Sequence, residues 1–111
     1  MALQDEIGSS LRFDPNTAAL EGQVANQRRL SDLRGVFADT TAYERALAAG
    51  DPVLYETSGV ETSHGDGQLH YVIGAIEPGR VGGEYYMTKG HVHASRPAAE
   101  VYIGLRGEGL M

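Results

Sequence analysis

The sequence predicts a mainly β protein, a sandwich or barrel of short strands with one short α-helix before them. Three observations carry this. Most of the 15 glycines lie from Gly59 onward, where they punctuate short apolar runs as turn residues do. Those runs are rich in Tyr, Val and Ile, and Val101, Ile103 and Leu105 alternate with Glu100, Tyr102, Gly104 and Arg106, the two-residue period of a strand. Only one stretch, around residues 41 to 50, has the composition and boundaries of a helix.

The elements follow in order. Phe13-Asp14-Pro15-Asn16-Thr17 is a turn signal, because Pro restricts φ and Asp or Asn bonds its own backbone. Leu20 to Val24 reads as a short strand around Gly22. Arg28-Arg29-Leu30-Ser31-Asp32-Leu33 reads as a solvated surface with two anchoring leucines. Thr41-Ala42-Tyr43-Glu44 fits a capping box, Ala42, Ala46, Leu47 and Ala49 favour helix, and Gly50-Asp51-Pro52 ends it. Val53 to Thr57 is a strand that extends past Gly59 through Val60-Glu61-Thr62. Ser63 to Gly67 is a hairpin loop, and Leu69 to Ile76 is the second strand. Pro78-Gly79 suits a type II turn with Gly at positive φ, and Gly82-Gly83 is another turn. Glu84 to Thr88 and Val101 to Leu105 are the third and fourth strands, the latter closed by Gly107 and Gly109. Several short strands at close spacing point to a closed all-β architecture.

Composition narrows the function. The 111 residues hold 15 acidic and 9 basic side chains, a net charge of -6, so no basic excess exists to meet nucleic-acid phosphate. With no cysteine, disulfides, thiolate zinc sites and thiol catalysis are excluded. No apolar run is long enough for a membrane helix. The acidic start, Met1 to Glu6, lacks the pattern of a secretion signal, so a cytoplasmic location is expected.

The chemistry concentrates in Thr88-Lys89-Gly90-His91-Val92-His93 and Glu100. On a strand, residues two apart face one side, so His91 and His93 point together. Each neutral imidazole offers a lone pair. Glu100 begins the next strand after a loop of six residues. Alone, such a histidine pair more often marks an ordinary exposed loop or strand, and the returning carboxylate brings the metal reading level with that one. Two His and one carboxylate suit a divalent ion such as Fe, Mn, Zn or Ni. His64 reads as a loop residue and His70 as a strand surface residue.

This pattern resembles the first motif of the cupin superfamily. The usual motif has three or four residues between the second His and the Glu, and a Gly six before the first His. Here the gap is six and Tyr85 occupies the Gly position. These departures match a narrower group, the cupin-type (archaeal-type) glucose-6-phosphate isomerases. The shared residues are Pro78-Gly79, Gly83-Glu84-Tyr85, Thr88 to His93, Glu100-Val101-Tyr102 and Gly107-Glu108-Gly109, in that order. Upstream, Arg29 to Leu33 and Asp51 to Glu56 also look like the family, so the resemblance spans about residues 20 to 110.

The resemblance implies a cupin fold, a double-stranded β-helix or jelly-roll barrel. Residues 1–50 would supply a strand and helix segment, and residues 51–111 the first part of a truncated barrel within one partial domain. It implies interconversion of glucose 6-phosphate and fructose 6-phosphate. His91, His93 and Glu100 would be metal ligands, with a fourth His expected from a second motif beyond Met111. Thr88 and Gly90 match positions that bind the sugar phosphate, with Lys89 adding charge. Gly74 departs from a hydroxyl residue the family often has near there. Tyr55 and Tyr102 match tyrosines lining the sugar site, which with Glu100 make the expected catalytic group. Glu100 would act either as base in an enediol route or mainly as ligand in a hydride shift. A homodimer is implied for the full-length form. The competing readings are a non-catalytic or sugar-binding cupin, or another metal-dependent cupin enzyme such as a dioxygenase.

Overall fold

The computed structural model describes residues 12–17, 19–20, 25–60, 71–90 and 99–111. The chain is mainly β. In order it runs β1 (Phe13–Asp14), β2 (Ala19–Leu20), β3 (Asn26–Arg29), a 3-10 turn (Leu30–Leu33), α1 (Thr40–Ala49), β4 (Val53–Val60), β5 (Tyr71–Ile76), β6 (Arg80–Val81) and β7 (Glu84–Tyr85). Among the described residues these strands make a β1–β2 hairpin, a sheet of order β3–β4–β5 and a β6–β7 hairpin. The chain divides into two compact units, Met1–Asn26 with Glu56–Ala75, and Gln27–Tyr55 with Ile76–Met111.

In the first unit, β1 and β2 are antiparallel, with Phe13 opposite Leu20 and Asp14 opposite Ala19. The expected turn joins them, and the Asp14 carboxylate accepts the Asn16 amide at 2.8 Å, as an Asx turn does. The strand expected from Leu20 onward is described at Leu20 alone, since residues 21–24 lie outside the described residues. The expected hairpin loop at residues 63–67, with Leu69 and His70, lies outside them as well. β4 passes straight through Gly59 to Val60. A Cβ on Gly59 would stand 2.5 Å from the Tyr71 carbonyl oxygen and 2.9 Å from Val72 Cγ2, so glycine is what lets β5 pack against this point.

The second unit holds the core of Leu30, Leu33, Phe37, Tyr43, Leu54, Tyr55 and Val81. The two anchoring leucines, Leu30 and Leu33, are fully buried, while Arg28, Arg29, Ser31 and Asp32 between and before them are exposed. The Asp32 carboxylate accepts the Arg29 amide at 2.8 Å, which satisfies a donor at the start of the 3-10 turn. The Tyr43 hydroxyl donates to the Leu30 carbonyl at 2.7 Å, and the Phe37 and Tyr43 rings stack at 6.2 Å. Burying these groups removes apolar surface from water at about 25 cal/mol per Å².

Four sequence expectations change here. α1 starts at Thr40, and its N-cap is Asp39, not Thr41, because the Asp39 carboxylate accepts the Ala42 amide at 2.9 Å. Glu44 does not reach back to the cap; it pairs with Arg34. Gly79 does not adopt positive φ, so the type II turn is absent. The residue is glycine because the Tyr86 ring lies on it, with Cε2 2.3 Å from where a Cβ would be. The Gly82-Gly83 turn forms as expected, with Gly82 at φ 59°. The third strand ends at Tyr85 instead of Thr88. Its ladder with β6 pairs Arg80 with Tyr85 and Val81 with Glu84, then continues through one bond from the Tyr86 amide to the Gly79 carbonyl. The next hydrogen-bonded pair would be Glu77 with Thr88, but the Glu77 amide donates to the Leu54 carbonyl at 2.8 Å instead. Finally, Val101 to Leu105 forms no strand, because among the described residues no strand lies alongside to complete its ladder.

Candidate functional site

The site assembles from the core outward. β4 carries Tyr55 into the second unit's core, where it is 7% exposed. Its ring is packed while its hydroxyl reaches the surface segment that follows β7. There it accepts the Lys89 backbone amide at 3.3 Å. Tyr86 and Met87 pack against the same core, so the chain is anchored on both its apolar side chains and this hydrogen bond as it enters Thr88-Lys89-Gly90. Those three residues are exposed. A Cβ on Gly90 would meet no atom of the described residues within 4 Å. A hydroxyl, an ammonium group and a bare glycine backbone in three consecutive residues form a donor set for an anion.

Glu100 and Tyr102 make the second described pair. Both are exposed, and the Glu100 carboxylate, accepting a hydrogen bond from the Tyr102 hydroxyl, holds the phenol above its usual ionisation. That bond joins residues two apart, the same-side relation expected from alternation. His91 and His93 lie outside the described residues. Among the described residues there is no group of three His, Asp or Glu able to hold a metal ion. The described residues therefore bring Tyr55 to Lys89 and Tyr102 to Glu100. The donor types in His91, His93 and Glu100, two nitrogens and a carboxylate, fit a borderline divalent ion.

Sequence reasoning missed the link between Tyr55 and Lys89. It took Tyr55 as a group lining the sugar site and did not foresee that its hydroxyl accepts the Lys89 backbone amide. The two residues are 34 apart in sequence, and no local pattern signals a contact of that range. It also missed Arg80, whose guanidinium stacks over the Tyr85 ring at 4.3 Å and donates to that hydroxyl at 2.6 Å. This pair braces the β6–β7 hairpin from which the segment departs.

The described residues form a mainly β chain with one helix, and they place the exposed Thr88-Lys89-Gly90 run directly ahead of His91 in the sequence. Comparison with known proteins identifies the family. The family model described as "Glucose-6-phosphate isomerase (GPI)" matches residues 27–111. A glucose-6-phosphate isomerase of Thermococcus litoralis is 39% identical over 111 residues, all of this chain and 57% of the relative. One of Pyrococcus furiosus is 41% identical over 101 residues, covering 91% of this chain and 53% of the relative. One of Thermococcus kodakarensis is 42% identical over 101 residues, with the same coverage of 91% and 53%. The chain belongs to the glucose-6-phosphate isomerase family. It spans about half the length of the curated relatives it matches.

Proposed function

We propose that this protein works in metal-dependent aldose–ketose isomerisation, interconverting glucose 6-phosphate and fructose 6-phosphate within a cupin barrel. The observation that carries the reading is the Tyr55 hydroxyl on the Lys89 amide, which fixes the Thr88-Lys89-Gly90 segment immediately ahead of His91 and His93 in a chain of this family. Thr88 Oγ1, the Gly90 amide and the Lys89 ammonium bind the substrate phosphate. Tyr55 and Tyr102 line the sugar, and Glu100 sits with Tyr102 at the reacting end. His91, His93 and Glu100 hold a divalent ion, Fe(II) foremost with Mn, Ni or Zn compatible, which when bound polarises the sugar's carbonyl and hydroxyl oxygens. The family resemblance supports a homodimer in the full-length form. The absence of cysteine supports a reducing, cytoplasmic setting.

The test is isomerase activity on glucose 6-phosphate measured together with metal content. Activity that survives chelation overturns the metal-dependent reading. In the same assay, full retention of the migrating hydrogen in D₂O counts against an enediol route with Glu100 as base. A second reading is a sugar-binding protein without turnover, favoured by the open exposure of Glu100 and Tyr102. Saturable glucose 6-phosphate binding with no fructose 6-phosphate formed supports it.

A further inference from the structure

A closed circuit of contacts leads from β4 to the Thr88-Lys89-Gly90 segment and back. At its start the Glu77 amide donates to the Leu54 carbonyl at 2.8 Å. At its end the Lys89 amide donates to the hydroxyl of the residue after Leu54, Tyr55, at 3.3 Å. Between them the Tyr86 amide donates to the Gly79 carbonyl at 2.9 Å, and the Tyr86 ring lies on Gly79. A Cβ on Gly79 would stand 2.9 Å from Cδ2 of that ring and closer still to Cε2 and Cζ. All of these residues lie in one compact unit.

The circuit leaves Tyr86 little freedom. Its backbone is bonded to Gly79 itself, and its half-buried ring packs on the core. Three residues further on, Lys89 reaches Tyr55, so the place of Tyr86 governs where the Lys89 amide arrives. Only a residue without a Cβ at position 79 lets the seated ring and the Tyr86 hydrogen bond exist together. A methyl group there drives the ring back by about 1 Å to ordinary contact distance. The ring then leaves the core or the hydrogen bond to Gly79 opens, and either change moves the segment that follows. Displacements of about 1 Å remote from the chemistry are large enough to impair a site.

We propose that Gly79 and Tyr86 are positioning residues. The ring seated on the glycine sets the backbone of Thr88-Lys89-Gly90 where Lys89 meets Tyr55, and so aligns the donors of that segment toward a sugar phosphate. The alignment of phosphate donors rests on the isomerase reading; the placing of Lys89 does not. Two readouts on the full chain keep them apart. Hydrogen exchange of the Lys89 amide, followed by NMR, reports its position directly. Gly79→Ala speeds that exchange about fivefold, the factor set by the loss of one ordinary hydrogen bond. Tyr55→Phe does the same, and the two together add nothing, because both break one bond. Tyr86→Phe keeps the ring and the slow exchange. In a Tyr86→Leu background the ring is gone, and Gly79→Ala hardly changes the Lys89 rate. With glucose 6-phosphate, Gly79→Ala raises KM about fivefold at nearly constant kcat, and raises it no further in a Tyr55→Phe background. Should Gly79→Ala fail to fold, Tyr86→Leu restores folding in the double variant. An unchanged Lys89 amide in Gly79→Ala, additive effects of Gly79→Ala and Tyr55→Phe, or a double variant that stays unfolded overturns the proposal. So does equal acceleration by Gly79→Ala with Tyr or Leu at position 86. A Lys89 amide that responds as expected, in a chain that neither binds nor turns over glucose 6-phosphate, upholds the positioning and overturns the isomerase reading alone.

Discussion

Asp51 shows how one side chain ties distant pieces of chain together. Its carboxylate accepts the Ser31 amide at 2.8 Å and the Ser31 hydroxyl at 2.7 Å, while Arg29 donates to its carbonyl at 2.9 Å. The two bonds from Ser31, more than the charge of Arg29, hold the Asp51 carboxyl below its ordinary value of 3.8. A carboxylate depressed on folding contributes stability that is complete above its unfolded value and is lost as pH falls through the lower folded one. Ser31→Ala therefore raises the Asp51 pKa toward 3.8 and shrinks that contribution, most fully above about pH 4, with the difference vanishing in acid. Carboxyl titration by NMR in both proteins checks it, and an unchanged Asp51 counts against it. Tyr55 is the matching case at the site. Tyr55→Phe keeps the packed ring but removes the acceptor of the Lys89 amide, for about 1 kcal/mol of folding stability. If the segment binds phosphate, the KM for sugar phosphate rises roughly fivefold at nearly constant kcat, since that is the ratio about 1 kcal/mol sets.

At the scale of elements, small backbone details decide where each one starts and stops. α1 depends on Asp39 at its N-cap, and Asp39→Ala costs about 1 kcal/mol, read as a lower denaturant midpoint with an unchanged slope. Thr41→Ala costs much less, because Thr41 is inside the helix. The composition of this helix was legible; its cap was not, since Asp39-Thr40-Thr41 offers three capping residues in a row and only the backbone geometry selects one. The glycines of the sheet separate in the same way. Gly59→Ala places a methyl group 2.5 Å from a backbone oxygen, and destabilises by about 1–3 kcal/mol, the usual cost of overpacking. Gly74→Ala meets only ordinary contacts at 3.9 Å and stays within about 0.5 kcal/mol, as surface substitutions do. Denaturation of the two variants side by side checks the contrast. In sequence both are single glycines inside apolar strands, and nothing local distinguishes them.

At the scale of the whole molecule, the expected outcome concerns the donor set. His91→Ala and His93→Ala each remove bound metal and isomerase activity together, read by metal analysis and turnover of glucose 6-phosphate. Metal retained in both variants would move the ion elsewhere. The sequence by itself determined the mainly β class, the single helix, the Gly82-Gly83 turn, the buried pair Leu30 and Leu33 and the family, because each is written in spacing or composition over a few neighbouring residues. Tertiary structure decided the rest. It made Asp39 the cap, put the Tyr86 ring on Gly79, turned the Glu77 amide to the Leu54 carbonyl, and set the Tyr55 hydroxyl on the Lys89 amide. Among the described residues it left Val101 to Leu105 outside the sheets, since a period of two gives a segment the capacity to pair but a strand exists only where a second chain segment supplies the other half of its hydrogen bonds.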